Sequence, residues 1–367
     1  MRLRMDRDAL AAAVAAVGPG MPNRPPVPTL GGILIRAADG SVSMSGFDYE
    51  VSACATVTGT VAESGAVLVS GRLLTEITKT LPLHPVELFD DGSALHIECE
   101  QARFSLPLMP VEDYPDLPAA AAARGSVDRA DFAAAVAQVA VAAGRDDTLP
   151  MLTGMTVEFH PDFIRLVATD RFRIAVRELD WVAEQSGSTL LAPARALVDT
   201  TKVLTGERVE ISTGTAQSVL GLRTAHDHHT IRLLDLPYAP YQRYLTVRHP
   251  ARARLRTAAV VEAVRRVALL SQGTRILLSF TESSVRLAAG DVAQGRAEHV
   301  LPCEYSGDPM TVAFNPRYLL DGLTTVRTPA VDVALDGPRR GAAIRPADDE
   351  STPNRQWYFV MPVRLPE

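Results

Sequence analysis

Apolar side chains recur along this chain at two periods. Leu10, Ala13, Val14 and Val17 fall at i, i+3, i+4 and i+7, which is one face of a helix. Phe132, Ala135, Val136 and Val139 repeat that spacing, and Val260, Ala263, Val264 and Val267 repeat it again. Asp6 or Asp8, Asp128 or Asp131, and Thr257 are the expected N-terminal caps of these three helices. A second stripe behaves alike: Leu74, Ile77 and Leu81, then Leu197 and Leu204, then Leu319, Gly322, Leu323 and Val326. An arginine stands two places before the start of each stripe: Arg72, Arg195 and Arg317. Between the helices the apolar positions alternate, as in SVSMSG, IRLVA and VRLAA, and each such strand runs into an aspartate: Asp48, Asp170 and Asp291.

These landmarks share one spacing, about 122 residues, far longer than a solenoid repeat. The chain therefore reads as three diverged copies of one α+β unit. Each copy has two helices packed on antiparallel sheets built from short alternating strands. The expected domains are 1–121, 122–247 and 248–367, with the first junction in the alanine-rich stretch near 120–126. A few domain-sized repeats in series point to pseudo-symmetric closure.

Composition narrows the class. The 367 residues are 47% hydrophobic and 22% charged, with a formal net charge of -6. That balance fits a soluble globular protein and argues against coating nucleic acid by bulk attraction, though not against basic groups gathered on one face. Cys54, Cys99 and Cys303 form no CxxC pair, so a reducing compartment is expected and no disulfide framework or zinc site. Arg2, Arg4 and the alanines that follow superficially resemble a leader. Asp6, Arg7 and Asp8 interrupt the stretch, which reads as a strand and helix of the mature fold. No run approaches the roughly 20 apolar residues of a membrane span. A cytoplasmic location follows as the expectation. Lysine occurs only at 79 and 202, a composition consistent with a GC-rich bacterial genome.

Candidate chemistry is sparse. His226, Asp227, His228 and His229 are ligand-type residues, but four neighbours point in different directions, and a polar hairpin or loop is expected there without a metal. No G-x-x-x-x-G-K-[ST] loop and no GxSxG elbow is present. Asp90, Asp91, Asp348 and Asp349 read as solvated turns.

Five stretches carry a family resemblance. RPPVPTLGGILI (24–35), RFSLPLMPVEDYPDL (103–117), VATDRFRIAV (167–176), FNPRYLLDGL (314–323) and FVMPVRL (359–365) occur in order along the whole length. They resemble the bacterial sliding clamp, the beta subunit of the replicative DNA polymerase. That resemblance implies a head-to-tail homodimer forming a six-domain ring, with helices around the hole and sheets outside. It implies a processivity factor with no catalysis and no cofactor. The implied partners are double-stranded DNA without sequence preference, the polymerase alpha subunit, the clamp loader, and other polymerases and repair proteins that bring short linear motifs.

A ring held by enclosure needs only weak phosphate attraction, and a base-specific contact would stop it sliding. Arg72 and Lys79 lie two turns apart on one helical face, Arg195 and Lys202 occupy the equivalent places, and the third copy keeps Arg317 but has Thr324. Arg7 and Arg129 match on the first helix, and Arg24 lies in a segment the family uses near DNA. On the residues alone a solvated face serves equally, because Glu76–Lys79 and Asp199–Lys202 are i, i+3 pairs.

By the same resemblance, a pocket for partner peptides uses Leu152, Thr169, Arg173, Ile174, Asn315, Tyr318, Met361, Pro362, Val363 and Arg364, with Tyr244 at its rim. An apolar slot of this kind buries anchor side chains while polar neighbours fix the peptide backbone. On the residues alone, Met361 and Val363 also read as a terminal edge strand in the core. This chain departs from the family's pattern at Arg171 and Phe172, where Gly and His are common. It also departs at Tyr244, where a smaller aliphatic is usual, and at Val363, usually Met. A specialised copy whose pocket excludes a peptide-mimicking inhibitor is one expectation from these departures. The dimer contact is expected to bring Phe104 and Leu106 of one chain near Leu269 and Leu270 of the other, with core packing as the alternative for some of the four.

Overall fold

Asp6 starts the first helix by accepting the N–H groups of Asp8 (2.8 Å) and Ala9 (3.3 Å) at its carboxylate. In the computed structural model, which describes residues 1–22, 24–118, 122–214, 218–291, 295–347 and 355–364, eight helices are assigned. They are α1 (Arg7–Ala16), α2 (Gly71–Thr80), α3 (Arg129–Ala140), α4 (Pro150–Thr153), α5 (Ala194–Val203), α6 (Gln242–Leu245), α7 (Thr257–Ala268) and α8 (Pro316–Thr325). The expected turns at Asp348 and Asp349, and the junction residues 119–121, lie outside the described residues.

The helical stripes are core faces. Leu10, Val14, Val17, Phe132, Val136, Val139, Val260, Val264 and Val267 are all buried. So are Leu74, Leu197, Leu319 and Leu323 on the second helices. Asp128 begins α3 by accepting the N–H of Asp131 at 2.9 Å. The third cap differs from expectation. Thr257 is the first residue of α7, not its cap, and its hydroxyl donates to the Thr328 carbonyl at 2.7 Å. A threonine one position inside a helix points its oxygen away from the free N–H groups, so it satisfies a neighbouring loop instead.

Two of the three expected aspartate turns repeat, while the residues that follow Asp291 lie outside the described residues. Asp48 accepts from the N–H groups of Glu50 and Val51, and Asp170 accepts from those of Phe172 and Arg173. The residue after each aspartate, Tyr49 (φ 69°) and Arg171 (φ 77°), is left-handed.

By density of contact the chain divides into two compact units, Met1–Ala133 with His160–Phe163 and Asp180–Asp235, and Ala134–Phe159 with Ile164–Leu179 and Leu236–Glu367. Strand pairing divides the middle copy in this way. In the first unit Asp227–Arg232 pairs antiparallel with Val51–Thr58, inside a sheet that runs from Val182–Ala183 to Gly65–Ser70. A five-stranded sheet there ends at Ala102–Pro107. In the second unit Arg173–Asp180 pairs antiparallel with Gln356–Val360, which pairs in turn with Ala342–Pro346. A four-stranded sheet there runs Gly295–Pro302, Ser284–Asp291, Ile276–Thr281, Met310–Phe314.

The His226–His229 stretch lies in a hairpin, as expected: the turn at 224–226 joins Val219–Arg223 to Asp227–Arg232, and the alternation of the second strand turns His229 fully into the core with neither ring nitrogen hydrogen-bonded. Asp227 is buried too and accepts from Thr205. Among the described residues no group of three His, Cys, Asp or Glu side chains is arranged to hold a metal, and no helix is long and apolar enough to cross a membrane.

Candidate functional site

The Asp170 turn is the centre of the site. Besides the two N–H groups it holds, Asp170 binds the Arg173 Nε at 2.9 Å, and the Thr169 hydroxyl donates to the Arg173 carbonyl at 2.7 Å. The turn is thereby rigid, and it presses Arg173 inward while Phe172 projects outward, 52% exposed. Buried Arg173 is neutralised on several sides. It pairs with Asp321 of α8, donates to the Tyr358 hydroxyl at 3.4 Å, and lies over the Tyr318 ring at 4.5 Å. A guanidinium keeps its charge when buried, and the cost of enclosing it is offset here by the carboxylates enclosed with it. Burial also raises the Tyr358 hydroxyl well above its ordinary pKa, with Arg173 opposing, so it remains a donor and bonds the Tyr318 carbonyl at 2.8 Å.

Two cavities open on either side of the Arg171–Phe172–Arg173 wall, both within the second unit. The first, about 350 Å³, is lined by Ile174, Tyr244, Val247, Phe359 and Met361, with His249 and Arg340 among the polar groups. The second, about 420 Å³, has Leu149, Leu152 and Tyr318 as its apolar lining, and Arg145, Asp146 and Arg317 among its charged residues. Phe172 stacks with Tyr318 at 6.1 Å between ring centres. Each cavity is of a size to take one anchor side chain with room to spare, and neither brings together a nucleophile and a base.

The proposed pocket residues do not all meet there. Leu152, Arg173, Ile174, Tyr244, Tyr318 and Met361 line one cavity or the other. Thr169 braces the turn from behind. Asn315 caps α8 by accepting the N–H groups of Arg317 and Tyr318, which aims both residues. Pro362, Val363 and Arg364 lie outside both linings. The strand before them stops at Val360 and is internal to its sheet, not an edge. Beyond it the Met361 N–H bonds the Phe172 carbonyl and the Val363 N–H bonds the Ala313 carbonyl, each at 2.8 Å. Val247, His249 and Phe359 were not anticipated. Phe359 carried a signal, since it precedes Met361 in the same stretch. Val247 and His249 sit in a connecting segment with no pattern.

Of the cationic residues, Arg24, Arg72, Lys79, Arg195, Lys202 and Arg317 are all exposed. Lys202 and Arg195 share Asp199, at 3.0 and 3.9 Å. The Glu76–Lys79 pair is not formed among the described residues. Arg317 lies in the second cavity's lining. Arg129 donates to the Gly206 carbonyl, and Arg7 pairs with Asp8.

The four interface candidates divide. Leu269, at the end of α7, is 82% exposed, and Leu270 and Phe104 are half-buried. Leu106 follows the core-packing alternative: it is 4% exposed within the first copy's core, because the alternation of its strand turns it inward.

Comparison with known proteins gives a consistent result along the chain. The family models of the DNA polymerase III beta subunit match residues 1–118 (N-terminal domain), 126–239 (central domain) and 248–364 (C-terminal domain). The beta sliding clamp of Streptomyces coelicolor is 41% identical, and a beta sliding clamp homolog, GriR, of Streptomyces muensis is 37% identical, each over the full length of both chains. A solved Pseudomonas aeruginosa sliding clamp bound to griselimycin superposes with a TM-score of 0.91 at 26% identity, again covering both chains completely.

Proposed function

The chain belongs to the DNA polymerase III beta-subunit family, the non-catalytic sliding clamps of bacterial replication, and we propose from this that two copies enclose duplex DNA in the bacterial cytoplasm. The three domains are 1–121, 122–247 and 248–367, joined head to tail into a six-domain ring. The exposed arginine of each second helix, Arg72, Arg195 and Arg317, is the observation that supports this most, because one cation at one place in each copy gives an even, unspecific attraction. Lys79, Lys202 and Arg24 add to it. Two strands with an unpaired side, Ala102–Pro107 in the first copy and Gly295–Pro302 in the third, are available for closure. Phe104, Leu269 and Leu270 lend that contact apolar surface. The two cavities receive the linear motifs of polymerase, clamp loader and repair proteins.

Loading onto nicked circular DNA tests this. The protein is expected to stay on circles through high salt and to leave when they are cut, and native mass is expected at twice that of the chain. Equal loss from circles and linear DNA, or a monomer unable to be loaded, would refute the ring.

A second reading is favoured by Tyr244, which lines the first cavity where a smaller residue is usual. In it, this is a specialised copy whose site refuses an inhibitor that mimics the partner peptide. Tyr244→Val should then change selectivity between peptide and inhibitor, and unchanged selectivity would count against it.

A further inference from the structure

Arg145, Arg171 and Arg317 reach the second cavity from three places: the loop after α3, the Asp170 turn, and the first turn of α8. All three are exposed, and among the described residues none of them makes an ion pair or a side-chain hydrogen bond. The nearby carboxylates compensate this charge only in part, Asp146 by an electrostatic interaction with Arg171 short of an ion pair. Asp170 and Asp321 hold Arg173, and Asp146 accepts both the N–H and the hydroxyl of Thr148. The chain as a whole carries a net charge of -6, so this cluster is positive against its surroundings.

Arg171 follows Asp170 with φ 77°, the same left-handed backbone as Tyr49 in the equivalent turn, so what sets this copy apart is the charge the turn carries there. Arg171 lines this cavity together with Leu152 and Tyr318, whose apolar side chains suit an aliphatic anchor.

We propose that the second cavity selects partner peptides bearing carboxylates beside their apolar anchor, and that Arg171 determines this selectivity. The proposal rests on the two cavities being the peptide site. Guanidinium forks pair with carboxylates in a geometry that amide side chains match poorly.

The test uses the full-length protein and two fluorescent heptapeptides with the same leucine and phenylalanine anchors, one carrying two aspartates next to the leucine and the other two asparagines. In anisotropy titrations at low salt the aspartate peptide should bind about fivefold tighter, a margin that shrinks as salt rises. Arg171→Gln should abolish the margin, and Arg171→Lys, which keeps the charge and loses the fork, should keep only part of it. Equal affinity for both peptides would overturn the proposal while leaving the peptide site standing. Failure of either peptide to bind would overturn both. Displacement of the aspartate peptide by a short single-stranded oligonucleotide, dependent on Arg171, would overturn it in favour of nucleic acid.

Discussion

Tyr241 donates its hydroxyl to the Glu158 carboxylate at 2.7 Å, and both residues are buried. Arg165 completes the group by reaching Glu158 at 3.3 Å and Glu178 at 2.6 Å. This group fastens the connecting segment that carries Tyr244, whose N–H bonds the Tyr241 carbonyl at 2.9 Å. Tyr241→Phe removes one donor from a buried carboxylate, at a cost of about 1–3 kcal/mol. A lower unfolding midpoint is expected, together with weaker peptide binding at the first cavity. Unchanged binding would mean the segment is held by its apolar contacts alone.

Arg171 sits where a Cβ is unwelcome. Arg171→Gly should raise stability by about 1 kcal/mol in urea titrations, since left-handed backbone costs a non-glycine residue about 1–2 kcal/mol and glycine's extra freedom in the unfolded chain returns part of it. A loss of stability would show that the arginine's side chain supports the turn.

His229 predicts a dependence on pH. Burial, the largest influence, lowers it from its ordinary 6.5 to about 4, with His228 acting in the same direction and Asp227 against. The folded state therefore refuses a proton that the unfolded state accepts. Stability should be unaffected by this residue above about 6.5 and should fall as pH drops towards 4, by roughly 3 kcal/mol in all. His229→Leu should flatten that slope, which urea titrations at several pH values would measure. An unchanged slope would assign the acid sensitivity elsewhere.

Gly322 packs its α-carbon against the Tyr358 ring, and a methyl added there collides with that ring. Gly322→Ala should cost about 1–3 kcal/mol through overpacking. It should also displace the Tyr358 hydroxyl from the Tyr318 carbonyl, so that peptide binding at the second cavity weakens along with stability. A variant with wild-type binding would uncouple Tyr358 from the site.

What could be read in advance follows from where periodicity operates. The buried faces of α1, α3 and α7 were legible because burial repeats with the helical turn, and every residue of those stripes is in the core. The Asp170 turn was legible because its copy at Asp48 has the same backbone shape. Thr257 was misjudged by one position, since a cap depends on local backbone angles that composition does not reveal. The hairpin at His226 was legible, but the burial of His229 was not, because a run of polar letters hides the inward face of a strand that also pairs with Val51–Thr58. Val247 and His249 could not be foreseen, because their segment reaches Ile174 through the packing of Tyr241, Tyr244 and Leu245 on the sheet, a contact that no local pattern marks.

The pairing of the middle copy with strands from both flanks limits how the molecule can be dissected. A fragment spanning only that copy would bare the long edges of Asp227–Arg232 and Arg173–Asp180, each stripped of its native neighbour. Naked edges of that length invite promiscuous self-association. Modularity written in the primary structure is thus not separability, and the central repeat is better studied by point substitution in the intact polypeptide than by excision.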